Sequence, residues 1–205
     1  MRNTANEAIM APAARSAPWA TFDRLVVLPY LLLHIPITLF IDSQGLFLSA
    51  SAIAAGQSLF PFLPPREAVL PGWAIDTLQW YLGWTNDPIM RHPPNWFQAI
   101  IAAEVVFQLP FFFVAVYAFL TRANWIKTPV LLYGAHVPTT VFPLLGTFLA
   151  PDAPLTPEQL RYLLALYVPF ILMPLLLVWR VTATPAVFPA ASAAAAAPTK
   201  HGKAH

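Results

Sequence analysis

Asp42 and Glu104 are carboxyl side chains set inside otherwise apolar text, HIPITLFID and EVVFQLPFF. A carboxylate at the middle of a membrane span costs about 2.5–3.5 kcal/mol, while each Leu, Ile, Phe or Val returns about 0.3–0.6 kcal/mol. The stretch around Glu104 carries enough apolar residues to insert regardless. Two carboxyl groups brought together in a low dielectric cannot both ionise cheaply, so such a pair holds one proton and one negative charge. That charge is a partner for a single cation in an apolar pocket. An acid and a base a few ångströms apart are also the minimum for proton-transfer chemistry. The alternative for each acid is a helix cap or a contact with interfacial water.

Positioning these acids falls to four apolar stretches, each close to the roughly 20 residues that cross a hydrocarbon core of about 30 Å. They run from about Leu25 to Asp42, Trp96 to Leu120, Thr128 to Ala150 and Gln159 to Trp179. Glu104 lies about 12 Å in from Trp96 at the helical rise. Asp42 closes the first span on the same half of the bilayer, so antiparallel neighbours bring the two acids to similar depth. Pro110, Pro138, Pro143, Pro169 and Pro174 each remove a helix hydrogen bond, which bends a span and leaves room around polar groups. The expected fold is all-α, a polytopic four-transmembrane-helix bundle with proline-kinked helices.

Composition supports this class. Hydrophobic residues make up 58% of the 205-residue chain and charged residues 10%, against about 25% charged in soluble proteins. A soluble domain of this size has too much exterior to hide so much apolar surface. The net charge of +2 is not gathered into a basic patch, which argues against nucleic acid as a partner. The absence of cysteine excludes disulfides, thiolate metal sites and cysteine nucleophiles. Neither metal nor cofactor is implied.

Between the first two spans, residues 43–95 form a long connection with an amphipathic stretch at about Trp73–Trp84; loops of this length often carry function. Residues 1–18 are polar and Ala/Pro-rich, without the pattern of a cleaved signal peptide, and residues 1–20 are expected to be a disordered N-terminus. Residues 182–205 are Pro/Ala-rich and expected to be a disordered tail. Basic residues gather on the side of the two termini, leaving only Arg66, Arg91 and Arg161 opposite. By the positive-inside rule both termini are expected in the cytoplasm.

The strings HIPITLFID (34–42), NDPIM (86–90), PPNWF (93–97), EVVFQLPFF (104–112), YAFL (117–120) and WIKTP (125–129) occur in order between about Asp23 and Arg180. Together they resemble the sigma-2 receptor (transmembrane protein 97) family of EXPERA proteins, relatives of the emopamil-binding sterol isomerases. The resemblance implies an EXPERA four-helix domain over residues 21–181 and residence mainly in the endoplasmic reticulum membrane. It also implies a membrane-facing pocket for sterols or oxysterols and for cationic amphiphilic amines, with a role in sterol homeostasis and trafficking. Carried over, Asp42 is the acid that pairs with a ligand amine and Glu104 the protonated acid that hydrogen-bonds it. Gln108 lies one turn further along, Asp87 is a loop acid near the pocket, and Met90 a loop contact. His34, Tyr133, Thr140 and Tyr167 take wall positions, as does Phe170, where the family pattern has a tyrosine. Other sterol-handling membrane proteins and a second copy of the chain remain open as partners. The C-terminal KHGKAH carries no clear dibasic retrieval signal.

The competing reading is a sterol isomerase that uses the acid pair for proton transfer. Isomerase relatives carry a His and a Glu one helical turn apart. Here His34 is followed by Thr38, His92 by Trp96 and His136 by Thr140. The expectation is therefore a binding protein with no catalytic residue assigned.

Overall fold

Every regular element among residues 19–189, the part that the computed structural model describes, is helical. The expectations for the segment before residue 19 and for the tail beyond 189 lie outside the described residues. Helix α1 covers residues 20–40, α2 Gly72–Thr85, α3 Asn95–Thr121, α4 Lys127–Phe148 and α5 Pro157–Thr182. Among the described residues, four stretches are long and apolar enough to cross a membrane: Ala20–Ala54, Asn95–Thr121, Asn124–Phe148 and Pro157–Thr182. Their outward faces carry exposed Leu32, Leu33, Phe107, Phe113, Leu120, Leu132, Phe142 and Leu172. That is the surface which lipid covers at no cost and water does not.

The prolines act where the sequence places them, in three ways. Pro36, Pro138, Pro143 and Pro174 sit inside continuous helices. Pro169 interrupts α5 at Val168, so that a second helical run starts at Pro169. Pro29 and Pro110 each follow a widened turn, Asp23–Val27 in α1 and Glu104–Gln108 in α3. There the amide of Leu28 reaches Asp23 O and that of Leu109 reaches Glu104 O, a span of five residues. Proline offers no N–H, and its ring crowds the carbonyl four residues back. Widening the preceding turn relieves that crowding and is a recognised device at functional sites. Both wide turns begin with an acid.

The bundle is assembled from two helix pairs, α1 along α3 and α4 along α5. Gly134 lets α4 and α5 approach closely, because a Cβ there would overlap the Val178 side chain and come within 3.1 Å of Pro174 O. One apolar core, including Val27, Leu31, Phe112, Val130 and Val181, fills the bundle toward the termini. Another, with Leu78, Ile89, Phe97, Ile101, Phe148 and Leu163, joins the helices to the long connection on the opposite face.

The terminal face is closed by an ion pair. Arg180 Nε and Nη2 donate to Asp23 Oδ1 and Oδ2, both at 2.7 Å, and Arg180 is 1% exposed. Its guanidinium lies over the rings of Trp19 and Phe188. The chain does not leave the bundle at residue 182, where the tail was expected to begin. Val187 and Phe188 are buried, and Asn124 exchanges two hydrogen bonds with the Phe188 backbone, at 2.8 and 3.2 Å. Those contacts hold the chain to the bundle for several residues beyond the expected boundary at 181.

Candidate ligand-binding site

Along α1 and into the turn that follows it, the polar residues Tyr30, His34, Thr38 and Asp42 recur every four positions, which keeps them on one side. Each reaches inward. Tyr30 and Tyr133 share a hydroxyl–hydroxyl hydrogen bond of 2.7 Å. His34 Nδ1 lies 2.9 Å from Tyr30 O, which assigns the proton to Nδ1, and its Nε2 is left without a partner. Thr38 Oγ1 donates to Glu104 Oε1 at 2.7 Å. α1 gives way to a tight turn, Asp42–Gly45, and the first residue of that turn carries the carboxyl group toward α3.

Asp42 and Glu104 meet within hydrogen-bonding reach. A proton between them converts repulsion into a bond and leaves one negative charge on the pair. Both line a narrow cavity of about 70 Å³ at the junction of the two apolar cores. His34, Met90, Gln108, Tyr133, Thr140, Tyr167 and Phe170 complete its polar and aromatic wall. Phe97, Ile100, Ile101, Val137, Val141 and Leu144 supply an apolar remainder that the sequence reading had not named. Among the described residues no lysine or arginine lines it.

Aromatic packing fixes the wall. Tyr133 stacks on Phe111 with centroids 4.3 Å apart, and the His34 ring stands between Phe112 and Phe170, each at 5.1 Å. Phe170 presents only its ring edge or face where the family pattern has a hydroxyl. Thr140 spends its hydroxyl proton on Val137 O of its own helix, at 2.8 Å. The break in α5 at Val168 falls between Tyr167 and Phe170 and re-aims both rings.

Asp87 is the expected site residue that the structure does not bring to the cavity. It is fully buried, and its oxygens are already taken. Oδ1 accepts from the amides of Ile89 and Met90, at 2.8 and 3.1 Å, capping the short helix Pro88–Arg91. Oδ2 accepts from the Tyr81 and Tyr167 hydroxyls, at 2.7 and 2.8 Å. Burial, and then the Asp87 charge, push the Tyr81 phenol above its ordinary range, so that it stays a donor. A carboxylate with four donors has no oxygen to offer a ligand. Asp87 instead orients Tyr167, which does line the cavity, and the helix that carries Met90.

Thr38, Tyr30 and Tyr81, which bond Glu104, Tyr133 and Asp87 from outside the cavity wall, were not named from the sequence. The spacing of four from Tyr30 to Asp42 was the available signal for the first two; Tyr81 had none, because its partner is set by the fold of the long connection.

Comparison with known proteins agrees with this architecture. Residues 73–181 match the EXPERA (EXPanded EBP superfamily) pattern. Sigma intracellular receptor 2 of Homo sapiens is 37% identical over 159 residues, covering 72% of this chain and 80% of that one. The Xenopus tropicalis protein of the same name is 36% identical over 176 residues, covering 82% and 89%. Efficient mitochondria targeting-associated protein 19 of Schizosaccharomyces pombe is 28% identical over 145 residues, covering 67% and 72%. The matched pattern starts after α1, yet the two receptor alignments are too long to be confined to it. With its four apolar spans and a pattern match over more than half its length, the chain belongs to the EXPERA family of membrane proteins, and to the part of it that is similar to sigma intracellular receptor 2.

Proposed function

We propose that this protein is an intracellular membrane receptor that binds sterols and cationic amphiphilic amines in the Asp42–Glu104 cavity and acts in sterol homeostasis and trafficking from the endoplasmic reticulum. One observation carries the reading: a carboxyl pair lines an aromatic and apolar cavity whose wall holds no lysine or arginine. A buried negative charge without a protein counter-ion is costly, and an ammonium ligand supplies what is missing. The apolar wall of Ile101, Val137, Val141 and Leu144 suits the hydrocarbon skeleton of a sterol.

The test is saturation binding of a radiolabelled amphiphilic amine to membranes carrying the parent or a variant. Asp42→Asn removes the charge that pairs with the ammonium and lowers affinity by about 100-fold or more. Glu104→Gln keeps a donor where a protonated glutamic acid would give one, and the loss is about tenfold or less. Unchanged amine affinity in Asp42→Asn removes that residue as counter-ion.

A second reading is a sterol isomerase. What favours it is that His34 and the acid pair line one cavity from different helices, although no His and acid are one turn apart in sequence. Rescue of growth in cells lacking a sterol isomerase, abolished by Glu104→Gln, would support the enzyme. Saturable amine binding without rescue supports the receptor.

A further inference from the structure

Met90 lies in the wall of two cavities. On the acid-pair side it closes the pocket described above; on the other side it faces a space of about 310 Å³ under the long connection. The character of that second space is the reverse of the first. Its wall includes Arg66, Arg91 and His92, with Gln57, Ser49 and Asn95 beside them, and among the described residues it holds no carboxylate. Of the three arginines on the face opposite the termini, Arg66, Arg91 and Arg161, two therefore meet in one cavity.

The cavity is built rather than fortuitous. Gln98, fully buried on α3, accepts from the Leu59 amide at 2.8 Å and donates to Gln57 O at 2.8 Å, which pins one side of the connection to the span. The Arg66 amide donates to Leu48 O at 2.9 Å and fixes the opposite side. Arg91 ends the short helix that Asp87 caps. Neither guanidinium is used up. Arg91 spends one N–H on Leu82 O at 2.8 Å, and Arg66 one on Glu67 at 3.3 Å, of the five that each carries.

Depth identifies the occupant. Asn95, in the cavity wall, is the first residue of a membrane span, and the neighbouring Trp96 is exposed as interfacial tryptophans are. The cavity thus lies at the level of lipid headgroups, where phosphate is the abundant anion. Guanidiniums are the preferred protein partner of phosphate, and this cavity is lined by two of them. We propose that this cavity is an anion site for the phosphate of an anionic lipid headgroup, separate from the acid pair and divided from it by Met90.

The full chain in an uncharged detergent, titrated with short-chain phosphatidylglycerol, phosphatidylcholine or inorganic phosphate, tests this. Thermal stability and amine binding are read on the same samples. Phosphatidylglycerol is expected to raise the denaturation temperature of the parent and of Arg161→Gln, with phosphatidylcholine having a smaller effect. In Arg66→Gln/Arg91→Gln its affinity falls by about tenfold or more. Phosphatidylglycerol binding that inorganic phosphate does not displace assigns the site to a lipid. Displacement keeps the anion site and assigns it to a free anion. Equal affinity for phosphatidylglycerol in the parent and the double variant overturns the proposal. Amine binding by the double variant reports that it is folded; if that is lost, Arg91→Gln alone, at an exposed residue, carries the same comparison. Loss of amine binding in Asp42→Asn bears on the receptor reading and leaves this site untouched.

Discussion

Two acids at the two ends of one helix meet opposite fates. Asp23, near the start of α1, receives both arms of Arg180 at 2.7 Å and is sealed under Trp19 and Phe188. Asp42, just past the other end of α1, receives a second carboxyl group and a cavity. Both cost the bilayer-embedded chain the same kind of desolvation. In the first case the fold supplies the counter-ion, and the result is a clamp that joins α1, α5 and the residues after α5. In the second the fold withholds it. A buried acid with its own cation holds the protein together, whereas one without a cation is, in the function proposed here, the partner of a cationic ligand. Asp87 is a third case, satisfied by four neutral donors and no cation.

The comparison breaks most visibly at Arg180. Arg180→Met strands Asp23 without a partner and lowers stability by about 3–5 kcal/mol, seen as a large drop in denaturation temperature in detergent. Adding Asp23→Asn is expected to recover most of it. Amine affinity of the folded fraction should not change in either variant, which separates the clamp from the cavity. A smaller effect is expected at Asp87. Tyr81→Phe removes one of its donors without touching the cavity wall and costs about 1 kcal/mol of stability, measured by the same melt, with amine affinity unaltered. Acidity sharpens the contrast further. Lowering the pH from neutral to about 4, the ordinary carboxyl range, adds the second proton to a growing share of the pairs and removes the partner of an ammonium. Amine affinity should fall while that of a neutral sterol holds. Equal loss of both would mean that acid disrupts the bundle rather than the charge.

The four spans were legible because apolar runs of this length have few other homes, and the acid pair because a carboxyl group inside such a run is conspicuous. The clamp was not. Arg180 reads in sequence as one more basic residue beyond a span, and its partner is 157 positions away. Only the fold, which brings Asp23 of α1 to the end of α5, reveals that it is internal. The packed stretch from 183 to 188 was lost for a related reason, since Ala/Pro-rich text suggests a tail and the hydrogen bonds that hold it come from Asn124. Asp87 was placed at the ligand by resemblance, but a residue that precedes Pro88 and caps a four-residue helix has its oxygens committed locally. The wide turns at Asp23 and Glu104 follow from proline six positions on, a spacing visible in the sequence only once its consequence is known.

The claim that Asp42 waits for an external cation is tested most directly by ligand charge. An amphiphilic amine and its uncharged carbon isostere, matched in shape, are measured by competition on the parent and on Asp42→Asn. The account predicts that the parent prefers the amine by about 100-fold and that Asp42→Asn binds the two alike. An equal preference for the amine in parent and variant would contradict it, because the charge that selects the ammonium would then lie elsewhere.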